Sequence, residues 1–173
     1  APPINKEVWT NSAQVRYVFP GTERTAGDTI NVTWIDGPGH KPVEQLKGVI
    51  DASKLPGSGS VLIGEKGSLL IPHVGAPKLL PEDKFADAAY PDLKRQSHYI
   101  LWADACRGEG KTNSNFSYAG NLTETILLGT IAIRLPETKL TWDAPSMKLT
   151  GHKKAARMLT KKYRKGWEID GLS

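Results

Sequence analysis

The first third of the chain alternates between apolar and polar positions with a period of two. In 14–19, Val15, Tyr17 and Phe19 fall on one face and Arg16 on the other. In 29–35, Ile30, Val32 and Trp34 oppose Asn31 and Thr33. Alternation of β-branched and aromatic residues predicts two half-buried strands, joined through the polar, glycine-containing stretch 20–28. After Trp34 the run Ile35-Asp36-Gly37-Pro38-Gly39-His40-Lys41-Pro42 holds four breakers and predicts a loop at a strand end. Two readings fit that loop: a binding element or a plain connector. Val61–Ile63 and Ser68–Ile71 flank Gly64-Glu65-Lys66-Gly67, a β-hairpin pattern. Residues 72–91 contain four prolines and read as irregular, with a helical turn at 82–86.

The period then lengthens. Tyr99, Trp102, Ala103 and Cys106 lie at i, i+3, i+4 and i+7, one stripe of a helix with Ser97 placed to cap it and Gly108 to stop it. A second helix is expected from Tyr118 or Asn121 to Arg134. Leu122, Ile126, Gly129 and Ile133 form its stripe, and Leu127, Leu128 and Ile131 widen it towards burial all round. Asn121 followed by Glu124 suggests a capping box at its start. A short strand at 139–143 and a basic helix at 153–165 complete the chain. Strands followed by helices, then strand and helix, predict an α+β fold with helices packed on one face of a sheet.

Composition changes this picture little. With 173 residues, 39% hydrophobic and 24% charged, the chain suits one soluble domain. No apolar run reaches the roughly 18 residues that span a bilayer, so no membrane partner is expected. The chain begins at Ala1 without a signal pattern, which leaves its compartment unread. The single cysteine, Cys106, rules out an internal disulfide. The net charge of +5 is uneven, with Lys153, Lys154, Arg157, Lys161, Lys162, Arg164 and Lys165 crowded near the end. Either a solvated helix face or a nucleic-acid patch has this composition. The helix-face reading is preferred because aromatics do not interleave through the run, and no nucleic-acid partner is expected.

The chemistry needed for catalysis is mostly missing. His40, His73, His98 and His152 are scattered, with no i, i+4 pair. No G-x-S-x-G elbow and no G-x-G-x-x-G after a strand occur. The run 105–112, Ala-Cys-Arg-Gly-Glu-Gly-Lys-Thr, imitates a phosphate loop, but helical periodicity precedes it where a strand is required.

Several stretches together resemble the C-terminal domain of the Gfo/Idh/MocA oxidoreductases. Residues 97–108, SHYILWADACRG, resemble the family's HYxxWxxACxGG helix. Ser114-Asn115-Phe116-Ser117-Tyr118-Ala119-Gly120 with Leu122-Thr123-Glu124 and Leu127-Leu128-Gly129 resembles the SNFDYAGPLTExxLLG stretch of one branch, with Ser117 for Asp and Asn121 for Pro. Trp34-Ile35-Asp36-Gly37 is similar to that branch's WYDGG loop, and Tyr163-Arg164-Lys165-Gly166-Trp167 to its C-terminal signature. The matches run in family order over nearly the whole chain.

The resemblance implies that 1–173 form a single substrate and dimerisation domain, an open and mostly antiparallel sheet with helices on one face. It implies an upstream Rossmann domain on the same polypeptide that binds NAD or NADP and supplies the family's Glu-Lys-Pro lysine. It implies a sugar, polyol or glycoside as substrate and a homodimer or higher oligomer. Catalytic residues, cofactor-binding residues and metal ligands are expected to be absent from this chain, and the 173 residues alone are expected to be inactive. The substrate-facing positions are Trp34, Asp36, His40 and Lys41, with Asn115 and Tyr118 as further candidates. A standalone binding or scaffolding domain of the same fold, without catalysis, is the alternative.

Overall fold

The computed structural model describes residues 8, 10–40, 42–92, 94 and 96–171. These residues divide into two units, 10–94 and 96–171 with residue 8. The fold is mixed α and β. Among the described residues all strand pairs are antiparallel, in three sheets of two, three and two strands.

In the first unit, β1 (Ala13–Pro20) pairs with β2 (Thr29–Asp36) over their whole length, from Ala13 opposite Asp36 to Pro20 opposite Thr29. The two alternating segments therefore form one hairpin. Val15 faces Trp34, Tyr17 faces Val32 and Phe19 faces Ile30, so all six apolar side chains share a face. On β1 that face is covered: Val15 is buried, Tyr17 and Phe19 are half-buried, and their rings stack at 5.9 Å. On β2 it is open, for Ile30, Val32 and Trp34 are all exposed while Thr33 and Ile35 are half-buried on the opposite side. The alternation in 29–35 thus marks a strand correctly, but its apolar side is not the covered side.

The hairpin β3 (Gly59–Gly64) and β4 (Gly67–Pro72) follows the sequence expectation, with Glu65 and Lys66 at the tip, and β5 (Lys78–Leu80) adds a third strand beside β4. Ser68, Leu70 and Leu80 are buried on the face that these strands share. In place of a helical turn at 82–86 the chain makes two successive turns, with Phe85 N–H donating to Glu82 O and Ala88 N–H to Phe85 O.

In the second unit, α1 (His98–Cys106) starts after Ser97, which lies at the capping position without a side-chain cap bond. Its end matches the expected glycine stop. Gly108 has φ +81°, its N–H donates to Ala105 O at 3.0 Å, and Glu109 N–H donates to Asp104 O at 2.8 Å. The Arg107 guanidinium bridges Asp104 and Glu109 across this stop. Helix α2 spans Phe116–Ile133 and is capped by Asn115, whose Oδ1 accepts from Tyr118 N–H. Asn121 and Glu124 therefore lie inside the helix and form no capping box. Glu124 instead accepts a hydrogen bond from the Trp142 indole at 2.7 Å.

Nor is α2 buried all round: Gly129 and Ile131 are buried, whereas Leu122, Ile126 and Leu127 are exposed. The core of this unit lies at the helix's C-terminal end, where Ile131, Leu135, Leu149 and Ala155 cluster with Leu140, Trp142 and Met158 against them. Strands β6 (Thr141–Asp143) and β7 (Lys148–Thr150) form a small hairpin there. The expected basic helix is a single turn, α3 (Lys153–Ala156). His152 caps it by accepting the Ala155 N–H, and Ala155 is fully buried. After Ala156 the chain runs on in turns and irregular backbone, so the cations at 157–165 all lie outside any helix.

Candidate functional site

Trp34 and Asp36 occupy alternate positions at the end of β2, so their side chains leave the same face about 6.7 Å apart along the strand. Both are exposed, Trp34 at 50%. The backbone then reverses through Gly37 (φ +74°) and Gly39 (φ +89°). Gly37 is required at its position on two counts. Its left-handed backbone strains any side chain, and a Cβ there would run into the Asn11 carbonyl. The loop is also tied down: the Ser12 hydroxyl, nearly buried, donates to Pro38 O at 2.6 Å, while Thr10 Oγ1 donates to Ser12 O. His40, half-buried, ends the described part of this loop, and Lys41 lies outside the described residues.

This geometry gives an open aromatic face beside a carboxylate, on a loop held by a hydroxyl clamp. An exposed indole ring can cover the C–H face of a small polar ligand, and the neighbouring carboxylate can accept its hydroxyl hydrogens. In the sequence, Trp34 and Asp36 are singled out by the family resemblance of the strand-end loop that carries them. The sequence gives no sign of Ser12, because the partner carbonyl is 26 positions away.

Asn115 and Tyr118 belong to the other unit. Asn115 uses both ends of its carboxamide locally: Oδ1 accepts from Tyr118 N–H, and Nδ2 donates to Thr112 O at 3.5 Å. Tyr118 is an exposed residue of the first turn of α2. The six candidate positions thus resolve into a β2-end group of Trp34, Asp36 and His40, a separate α2-start pair, and the undescribed Lys41.

Two open recesses of about 550 and 540 Å³ lie on segment 43–54 and share Val49, Ile50 and Asp51. The second reaches Leu70, Lys78 and Leu80. Neither contains Trp34, Asp36 or His40. At this edge the Asp51 carboxylate accepts the Ser53 N–H at 2.8 Å, which holds its pKa below the usual carboxylate value. Burial pushes the Tyr17 phenol above its ordinary value.

Among the described residues no three His, Cys, Asp or Glu side chains are placed to hold a metal ion, and no helix is long and apolar enough to cross a membrane. The phosphate-loop imitation at 105–112 begins inside α1 and ends three residues before the Asn115 cap, so neither a strand nor a helix start is where a phosphate would need it. Comparison of the chain with protein-family models, curated proteins and solved structures finds no match.

Proposed function

We propose that this chain is the substrate-side domain of a nicotinamide-dependent oxidoreductase of the Gfo/Idh/MocA type, acting on a sugar, polyol or glycoside. In this reading the β2-end loop forms one wall of the substrate cleft. The observation that carries it is the pairing of Trp34 and Asp36 on an open strand face, with Gly37 and the Ser12–Pro38 bond fixing the loop behind them. A ring for the apolar face of a pyranose and a carboxylate for its hydroxyls form a common division of labour in small-ligand sites.

The residues described here do not fit the cofactor. Its pyrophosphate needs a glycine-rich turn that leaves a strand and opens a helix. Gly108 and Gly110 instead follow the C-terminal end of α1, and Gly57 and Gly59 lead into β3. We therefore assign NAD or NADP, together with the groups that move the proton, to an upstream Rossmann domain. The homodimer is carried over from the family resemblance alone.

The test is a spectrophotometric screen of sugars and polyols with NAD and NADP, using the 173 residues alone and the polypeptide with its upstream region. Turnover only by the longer polypeptide, with a raised KM and little change in kcat for Asp36→Asn, is the expected result. Turnover by the 173 residues alone overturns the division of labour. Sugar binding with no turnover by either form favours the non-catalytic binding domain instead.

A further inference from the structure

Residues 144–167 hold eight Lys and Arg and no Asp or Glu, so with a total of +5 the rest of the chain is left at −3. A solvated helix face explains such a run only if there is a helix to carry it, and α3 ends at Ala156. Beyond it lie Lys161, Lys162, Arg164 and Lys165, all exposed, and none of the cations in 148–165 is ion-paired with a carboxylate. Most aliphatic side chains of the same stretch turn the other way, with Ala155 in the core and Ala156 and Met158 packed against it, while Leu159 stays at the surface. The two aromatics stay with the cations: Lys161 Nζ lies 5.8 Å from the centre of the Tyr163 ring, and the Arg164 guanidinium 4.9 Å from that of Trp167. Trp167 is 67% exposed. A turn closes this end, with Trp167 N–H donating to Arg164 O and Gly166 N–H to the Glu168 carboxylate at 2.6 Å.

We propose that 153–167 is a docking strip for single-stranded nucleic acid, in which the Lys and Arg side chains track phosphates while Tyr163 and Trp167 offer ring faces to bases. Adsorption to a bilayer would call for a row of aliphatic side chains beside the cations, and in 153–167 Leu159 is the one aliphatic residue exposed. A polyanion without bases would leave the rings unused. The aromatics do not interleave through the whole run, but at its end two rings four positions apart each have a cation beside them, placing stacking surfaces next to phosphate-binding charge. The inference is independent of the oxidoreductase reading.

Anisotropy of a labelled oligo(dT) of about twenty nucleotides, titrated with the whole chain, tests it. With five to seven phosphates neutralised, affinity should fall about 100- to 1,000-fold between about 50 and 200 mM salt, a log–log slope of about −3.5 to −5. The double substitution Lys161→Glu, Lys162→Glu should flatten that slope by about 1.4. Trp167→Ala should weaken binding about 5- to 100-fold while leaving the slope unchanged. The wild-type titration stands whether or not either variant folds. Absence of binding at low salt overturns the proposal. Equal affinity for an abasic oligonucleotide, with Trp167→Ala indifferent, also overturns it and leaves a general polyanion contact. Binding to phosphatidylserine vesicles in preference to oligo(dT) overturns it in favour of a membrane surface.

Discussion

Replacing Glu124 with alanine removes the acceptor that ties α2 to the β6–β7 hairpin. The Trp142 indole N–H donates to Glu124 Oε1 at 2.7 Å, both residues are half-buried, and Trp142 packs against the Ile131–Leu135–Leu149–Ala155 cluster. A hydrogen bond to a charged group contributes about 1.5–3 kcal/mol. Water can reach part of this site, so the expected cost is about 1–2 kcal/mol, with the indole left short of a partner. At about 2–4 °C per kcal/mol for a chain of this length, the midpoint should fall by about 2–8 °C. Glu124→Gln keeps an acceptor and should cost less than half as much. Differential scanning calorimetry gives the shift, and hydrogen exchange at the Trp142 indole shows whether the bond itself is responsible. If Glu124→Ala lies within about 0.3 kcal/mol of the parent and the indole exchanges at the same rate, the tie does not hold this unit together. A Trp142→Phe, Glu124→Ala cycle should show a coupling of about 1 kcal/mol or more, as expected for directly bonded partners.

Other substitutions separate anchoring from binding. Gly37→Ala should cost about 1–3 kcal/mol, since it combines a left-handed backbone with a collision at the Asn11 carbonyl; a variant as stable as the parent would refute the required close approach. Asn115→Ala should lower stability by about 0.5–2 kcal/mol through loss of the α2 cap, whereas Asn115→Asp, which can still cap, should stay near the parent in thermal melts. Equal losses in both would point to a role for the side-chain amide beyond capping. The Tyr17 phenol, raised by burial, should ionise above the usual tyrosine value of about 10 in an ultraviolet pH titration. Because the folded state holds this proton more tightly than the unfolded one, the associated stability is complete below the unfolded pKa and is lost as pH rises through the folded value. An unfolding free energy that climbs over that range would contradict the assignment.

The parts of the fold legible in the sequence are those specified by near neighbours. Strands β1 to β4 follow from period-two alternation and glycine-bounded turns, and the α1 stop follows from Gly108. Which face of β2 is covered depends on what packs there, and the alternation of Ile30, Val32 and Trp34 cannot specify that. Asn115 and Asn121 both precede apolar positions and either can accept an N–H, so the sequence points to Asn121 where the turn at 112–115 sets the α2 cap at Asn115. The basic run predicts a helix because Lys and Arg tolerate helices well. With so few apolar positions after Ala156, however, little packing remains to sustain one. At the candidate site Trp34 and Asp36 are marked by the strand-end loop and its family resemblance, whereas the Ser12 clamp, set by a pairing 26 positions away, leaves no local sign.

The tip of the β3–β4 hairpin is fastened from outside its own strands. Lys84 donates to Lys66 O at 2.7 Å, and the Phe85 ring lies where a Cβ on Gly67 would come within 2.5 Å of its carbons. The loop between β1 and β2 is held by its own members, through Gly21 with Asp28 and Thr22 with Thr25. The two hairpins should therefore differ in how they tolerate changes of length. Extra residues between Thr22 and Thr25 would disturb only contacts inside that loop, and a longer flexible loop adds only about 0.6 kcal/mol per doubling. One residue inserted at Glu65 or Lys66 would pull the turn away from Lys84 and Phe85 together. A tag or reporter peptide belongs in the first loop, and insertion at the second should loosen the three-stranded sheet along with it.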